Sequence, residues 1–223
     1  MCGRFTLTAS GEEIAEAFGL EGVPTLAPRY NIAPTQDVAV VRRLGAGEPR
    51  TLAWLKWGFT PAPSPRDTRP ILLINARAET VVERPAFRGS FARRRCLVPA
   101  DGFYEWTGSG RSRRPFHIRL RGGGLFAFAG LWEPMAEATG GQPPGACTIL
   151  TTEPNDLLRD IHDRMPVILA PEHYERWLDP ETRSPPGLLP LLQPYAAEAM
   201  TAVPVSTRVN DPRNDDAGCL RLG

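Results

Sequence analysis

Twenty-four prolines and 21 glycines are spread through 223 residues, and this limits what the chain can build more than any other feature. Proline removes a backbone donor and clashes inside a helix, and glycine weakens the interior of helices and strands alike. Between such breaks there is room for many short elements joined by tight turns. A β-rich fold is favoured over a bundle of long helices.

The apolar runs fit that reading. Val38 to Val41, Leu52 to Trp57, Leu125 to Leu131 and Ala146 to Thr152 read as strands, as do Cys96-Leu97-Val98-Pro99 and Gly102-Phe103-Tyr104-Glu105-Trp106. Ile71-Leu72-Leu73-Ile74 reads as a buried strand that delivers Asn75-Ala76-Arg77 at its end. Phe116, Ile118 and Leu120 alternate with His117 and Arg119, as in a half-buried strand with His117 facing outward. Val203 to Val209 makes a last strand. Thr6 to Thr8 continues an opening strand on which Cys2 and Arg4 share one face.

Helices are few. Ser10 with Glu13 forms a capping box, Ile14, Ala17 and Phe18 give an apolar stripe, and Gly19 ends the helix. Phe87 and Phe91 lie one helical turn apart, Leu157, Leu158 and Ile161 mark a short helix, and Pro171 opens one that ends near Leu178. Leu188 to Met200 is helical in part. Pro61 to Pro70 is a polar, proline-rich surface excursion, and Glu133 to Gly145 a flexible connection. With no internal repeat and no boundary, the expected fold is α+β. It is one domain over 1–223, mainly antiparallel and barrel-like, with short flanking helices.

A formal charge of +1 argues against a protein that coats nucleic acid by bulk electrostatics, but leaves room for a local basic groove, since Arg93-Arg94-Arg95 and Arg111, Arg113 and Arg114 concentrate charge. Cys2, Cys96, Cys147 and Cys219 form no C-x-x-C unit, so no zinc site is expected. Gly122-Gly123-Gly124 lacks the lysine of a P-loop, and no cofactor is implied. With neither a cleavable leader nor a long apolar run, the expectation is a cytoplasmic protein with reduced thiols and no membrane partner.

Chemistry concentrates at the start. Removal of Met1 before a residue as small as cysteine would leave Cys2 first, with an amine and a thiol on adjacent carbons. The α-amine titrates at about 7.7–8.0, so part of it is neutral and nucleophilic at pH 7. Such an aminothiol condenses with an aldehyde to an imine, and the sulfur then closes a thiazolidine ring. A terminal Cys can instead attack an acyl group with its own amine as base, and position alone also allows a residue that is merely small. Glu105 stands among Phe103, Tyr104 and Trp106. An apolar wall raises a carboxyl pKa, which suits a general acid; an edge-strand Glu facing water is the alternative. His162 sits between Asp160 and Asp163, placed for proton transfer or for a helix cap. Asn75 and Arg77 either bind a hydroxyl and a phosphate or close a strand end. Cys96 reads as an inert core thiol, and His173 is given no role.

The blocks Met1-Cys2-Gly3-Arg4-Phe5, Tyr30-Asn31-Ile32-Ala33-Pro34, Asn75-Ala76-Arg77-Ala78-Glu79-Thr80, Gly102-Phe103-Tyr104-Glu105-Trp106 and Ile161-His162-Asp163-Arg164-Met165-Pro166 occur in that order. Together with Trp57-Gly58, Arg95-Cys96-Leu97-Val98-Pro99-Ala100, Ala129-Gly130-Leu131-Trp132 and Thr151-Thr152, they resemble the SOS-response-associated peptidase (SRAP) family, the abasic-site processing proteins. The resemblance runs from residue 2 to about residue 210. It implies a β-rich domain that binds single-stranded DNA at abasic sites and crosslinks to them through a catalytic set of Cys2, Asn75, Glu105 and His162. It also implies that Arg4, Arg77, Trp106 and Thr151 contact the strand or shape the site. A monomer is expected.

One departure stands out. Where the family commonly carries a base-wedging tryptophan after Trp-Gly, this chain has Thr60-Pro61-Ala62-Pro63-Ser64-Pro65. Stacking is worth about 1–3 kcal/mol per base, so weaker DNA binding or a different wedge is expected. Two other functions share these residues: an N-terminal-nucleophile peptidase or amidohydrolase acting on its own leader or on peptides, and a passive single-strand binder.

Overall fold

The computed structural model describes residues 2–60, 72–108, 110–134 and 145–223, with Arg111 described in its backbone alone. The proline-rich run 61–70, Ile71 and residues 135–144 lie outside the described residues, and so does the site of the missing wedge tryptophan beyond Thr60. In chain order the strands are β1 (Phe5–Leu7), β2 (Arg29–Ile32), β3 (Asp37–Arg42), β4 (Thr51–Trp57), β5 (Asn75–Arg77), β6 (Arg95–Ala100), β7 (Gly102–Thr107), β8 (Arg114–Leu120), β9 (Phe126–Pro134), β10 (Gly145–Thr152), β11 (Met165–Pro166), β12 (Ile168–Leu169) and β13 (Met200–Pro204). The α-helices are α1 (Gly11–Phe18), α2 (Pro85–Arg93), α3 (Tyr174–Leu178) and α4 (Pro185–Leu188).

A ring of pairings closes a barrel. β10 lies parallel to β4, and β4–β3, β3–β6, β6–β9 and β9–β10 are antiparallel. Closure leaves no open edge among these strands. It also explains why β6 and β10 read as nearly unbroken apolar runs, since every residue of both is buried. A second, antiparallel sheet is ordered β13-β8-β7-β1-β2. Phe5 joins the two layers, its ring 5.3 Å from Trp57 and 5.7 Å from Phe128. That anchor fixes the first strand, and with it the position of Cys2.

Local signals read from the sequence hold in several places. Ser10 and Glu13 make both bonds of the capping box, and Gly19 ends α1 in the left-handed region at φ 63°. Phe87 and Phe91 are buried on α2. A 3₁₀ turn Pro171–His173 leads into α3.

Other expectations are corrected. Leu72 is 40% exposed and Leu73 makes only an isolated bridge to Phe59. The strand is β5 itself, because β5 takes over the pairing with β10 where β4 ends, from Ile149↔Asn75 to Thr151↔Arg77. The expected strand Val203 to Val209 stops at Pro204. Val205 still donates to the Pro115 carbonyl at 3.0 Å, but Pro115 has no N–H to return that bond, and Ser206 instead caps a 3₁₀ turn, Thr207–Asn210. Leu157 to Ile161 forms hydrogen-bonded turns rather than a helix, with Asn155 Oδ1 accepting from the Leu158 N–H. Leu188 to Met200 is helical in part, as expected, but only as the end of α4 and the 3₁₀ turns Leu189–Leu191 and Ala197–Ala199. Ala17 is exposed, so the stripe of α1 is Ile14 and Phe18.

His117 does not face water. It is 7% exposed, its Nε2 lies 3.2 Å from Thr6 Oγ1, and its ring centroid is 5.0 Å from that of Tyr104. Room for the imidazole comes from Gly102, where a Cβ would lie 2.0 Å from His117 Nε2. Gly102→Ala is therefore expected to destabilise the fold by about 1–3 kcal/mol through overpacking. Chemical denaturation would register this as a lower midpoint at unchanged m-value.

Candidate active site

Strand register builds the site. β1 pairs with β7 as Phe5↔Phe103, and Tyr104 donates its N–H to the Arg4 carbonyl at 2.9 Å. Continuing that antiparallel register sets Gly3 beside Glu105. Both line a cleft of about 470 Å³ together with Arg4, Trp106, Gly110, Arg113, His162 and Asn210.

Glu105 is 3% exposed, and burial raises its carboxyl from the ordinary range to about 7. The carboxyl can therefore both give and take a proton near neutral pH. Cys2 is wholly buried. Burial first, and the Glu105 charge second, push its thiol well above the usual range, so at pH 7 the sulfur holds its proton until a base removes it. Cys2 and Arg4 do not share surroundings, contrary to the face assignment from alternation. Cys2 joins the main apolar core, while Arg4 points to Asn31 Oδ1 (2.7 Å) and the Val209 carbonyl (2.8 Å).

His162 arrives on the turns after β10, with its N–H bonded to the Leu158 carbonyl at 2.8 Å. Its Nε2 lies 3.9 Å from Glu105 Oε2. Its Nδ1 has two neighbours with opposite demands, the Arg164 N–H at 3.0 Å and Asp163 Oδ1 at 2.9 Å. The backbone N–H can only donate, whereas the Asp163 side chain is 88% exposed and hydrated. Burial lowers the imidazole pKa. The neutral ring then accepts at Nδ1 and carries its proton on Nε2, toward Glu105.

Arg164 ties this turn to β5. Its guanidinium binds Glu79 bidentately at 2.8 and 2.9 Å and donates to the Thr151 carbonyl at 2.7 Å, and the Arg164 side chain holds the Glu79 carboxyl below its usual range. Asn75 donates to the Ile149 carbonyl at 3.4 Å, and its Oδ1 is buried without a partner among the described residues. A buried acceptor left open in this way fits a hydroxyl donor supplied by a ligand. Arg77 is exposed next to it on β5. Thr151 is fully buried with its Oγ1 unbonded, so it can shape the site from within but offers no surface to a strand.

Trp106 is held by Asn210, Arg4 and Arg113, of which the sequence reading missed Asn210 altogether. Its indole donates to Asn210 Oδ1 at 2.7 Å, and the guanidinium carbons of Arg4 and Arg113 lie 5.7 and 5.0 Å from its ring centroid. Arg113 stood in a noted arginine cluster. Asn210, more than a hundred residues from Trp106 in sequence, gave no signal. A larger cleft of about 930 Å³ lies beside α1, near His117 and Asp101. The Asp101 carboxylate there is already bonded by the hydroxyls of Thr6 and Thr8, so the smaller cleft is the better place for chemistry. Among the described residues, no group of three or more His, Cys, Asp or Glu could hold a metal ion, and no helix is long and apolar enough to cross a membrane.

Comparison with known proteins follows the same lines. The chain is 43% identical to the abasic site processing protein YoaM of Bacillus subtilis (strain 168), over 99% of this chain and 97% of that one. It is 32% identical to the abasic site processing protein YedK of Escherichia coli (strain K12), over 81% of each. Its fold is that of a crystal structure of a Bacteroides thetaiotaomicron protein, with a TM-score of 0.82 at 24% identity over the whole of both chains. Residues 1–212 match the family described as SOS response associated peptidase (SRAP). The chain belongs to that family.

Proposed function

We propose that this protein captures abasic sites in single-stranded DNA as a covalent thiazolidine at Cys2, after removal of Met1, and so shields the strand from breakage. The observation that carries this reading is the position of Cys2 against Glu105, a carboxyl that titrates near 7, with His162 Nε2 turned toward it. Relatives named abasic site processing proteins support the choice of substrate.

An abasic deoxyribose is mostly a closed hemiacetal with a minor open aldehyde. Glu105 and His162 assist ring opening by passing protons. The Cys2 amine adds to the aldehyde carbon, and protonated Glu105 helps expel the oxygen as water, leaving a protonated imine beside the ionised carboxylate. Glu105, now ionised, takes the proton from the thiol. The sulfur then bonds to the imine carbon, the C=N electron pair returns to nitrogen, which keeps its one proton, and Glu105 ends protonated as it began. The sequence loses one water and involves no net redox change. Closing the ring removes the imine that β-elimination would need. Asn75 Oδ1 accepts a sugar hydroxyl, Thr151 shapes the cavity wall, and Arg4 and Arg77 bind flanking phosphates. The protein acts as a monomer in the cytoplasm, on single-stranded DNA.

The reading is tested with an oligonucleotide carrying one abasic site. A denaturation-resistant adduct is expected with that strand and not with an intact one, and equal retention of both strands after denaturation would reject it. Arg77→Ala is expected to weaken binding and to lower the slope of log K against log salt by about 0.7. A slope equal to that of the unaltered protein removes Arg77 from the phosphate contacts.

A further inference from the structure

One wall of the cleft has no part in the chemistry above. After β13 the chain turns back, and residues 207–215 lie against β2 as a pinned strap. Asn31, fully buried, shares its amide hydrogens among the carbonyls of Val209 (3.2 Å), Asp211 (3.1 Å) and Asn214 (2.7 Å). Asp215 accepts the N–H groups of Tyr30 (2.5 Å) and Asn31 (2.8 Å) and pairs with the Arg29 guanidinium. The strap is therefore a fixed surface, and Asn210 stands where it meets the cleft.

The Asn210 amide has one possible orientation. An indole N–H only donates, so the atom bonded to Trp106 is the amide oxygen, and the NH₂ group lies on the other branch of the side chain. Asn210 is exposed and lines the cleft with Arg113 and Arg4. Glu105 is the one acid among the described lining residues. This rim offers N–H donors and positive charge, the complement of phosphate oxygens.

We infer that Asn210 and Arg113 form a donor-only subsite for a phosphodiester of the single strand beside the nucleotide held at Cys2, the Asn210 amide serving as a direct donor rather than only as a brace for Trp106. The inference rests on the strand-binding reading above. Asn210→Asp keeps an oxygen for the indole but turns a carboxylate toward the phosphate, while Asn210→Ala removes donor and brace together.

The test measures Kd for an unmodified single-stranded oligonucleotide at several salt concentrations. Alongside it, covalent capture of glyceraldehyde at Cys2 is followed by mass. Asn210→Asp is expected to weaken DNA binding roughly ten-fold or more, and by more than Asn210→Ala, at an unchanged melting temperature. Arg113→Gln should reduce the salt slope by about 0.7. Capture of the small aldehyde needs no phosphodiester and should remain detectable in all three. Asn210→Asp that binds as well as the unaltered protein, or no worse than Asn210→Ala, overturns the subsite. If the unaltered protein binds DNA and loses it in Asn210→Asp yet never captures the aldehyde, the subsite stands and the Cys2 chemistry fails. An unaltered protein that does not bind the strand overturns both.

Discussion

Cys2→Ala is expected to reduce the denaturation-resistant adduct with abasic DNA to background while leaving reversible binding of the strand in place. Alanine retains the terminal amine once Met1 is removed, so it can still form an imine, but it has no sulfur to close the ring. An imine is hydrolysed when the protein is denatured in water; a thiazolidine carbon is held by nitrogen and sulfur together. The packing cost of the change is confined to a thiol at the end of the chain, and Phe5, between Trp57 and Phe128, continues to anchor β1. Two readouts separate the roles, a denaturing gel for the covalent product and fluorescence anisotropy for the encounter. Equal loss in both would mean that Cys2 builds the groove rather than reacting in it, and a persistent adduct would move the nucleophile elsewhere.

Glu105→Gln carries the second large effect, and it acts in two directions. Gln has nearly the same shape and cannot move a proton, so adduct formation should slow by about 10²–10⁴-fold, the usual contribution of a positioned acid–base group. Where expulsion of water limits the rate, the unaltered protein needs protonated Glu105, and its rate should fall as pH rises through about 7. The variant should lose that dependence. Stability moves the other way. In the fold Glu105 titrates near 7, against about 4.3 for a free Glu. Between those values the native state holds a proton that the unfolded chain has released. The contribution of this group is therefore full below about pH 4 and lost as pH rises through 7. At roughly 1.4 kcal/mol per pKa unit, burying the charge costs up to about 4 kcal/mol at pH 8. Glu105→Gln should thus melt higher than the unaltered protein at pH 8 and at the same temperature near pH 4. A variant that is slow but no more stable at pH 8 would place the ionised carboxylate in a better-solvated setting than its burial indicates.

These consequences were partly legible in the sequence. Glu105 sits between Tyr104 and Trp106 in a strand, which in sequence fits either an apolar wall with a raised pKa or a hydrated edge, and burial decides for the first. The capping box of α1 and the paired phenylalanines of α2 are equally local, set by spacings of three and four residues. His117 was misread because alternation reports which face of a sheet a residue takes, not whether that face is covered. Gly102, on the neighbouring strand, decides the matter by leaving a hole. The pairing of Cys2 with Glu105 depends on the register Phe5↔Phe103, nearly a hundred residues apart in the chain. The strap depends on Asn31 reaching Val209, Asp211 and Asn214. No pattern within one element encodes such contacts. The end of β13 at Pro204 turns on a donor missing from Pro115 on the facing strand, and nothing within residues 203–209 reports it.

The central claim is that the first residue of the mature chain presents nitrogen and sulfur to one carbonyl carbon, and intact mass spectrometry of the purified protein with an abasic oligonucleotide tests it most directly. The account expects a protein lacking Met1 and an adduct equal to protein plus DNA minus one water. It also expects that adduct to resist borohydride, since a thiazolidine has no C=N bond to reduce. A protein that keeps Met1 and still forms the adduct, or an adduct that borohydride converts to a heavier product, would contradict it.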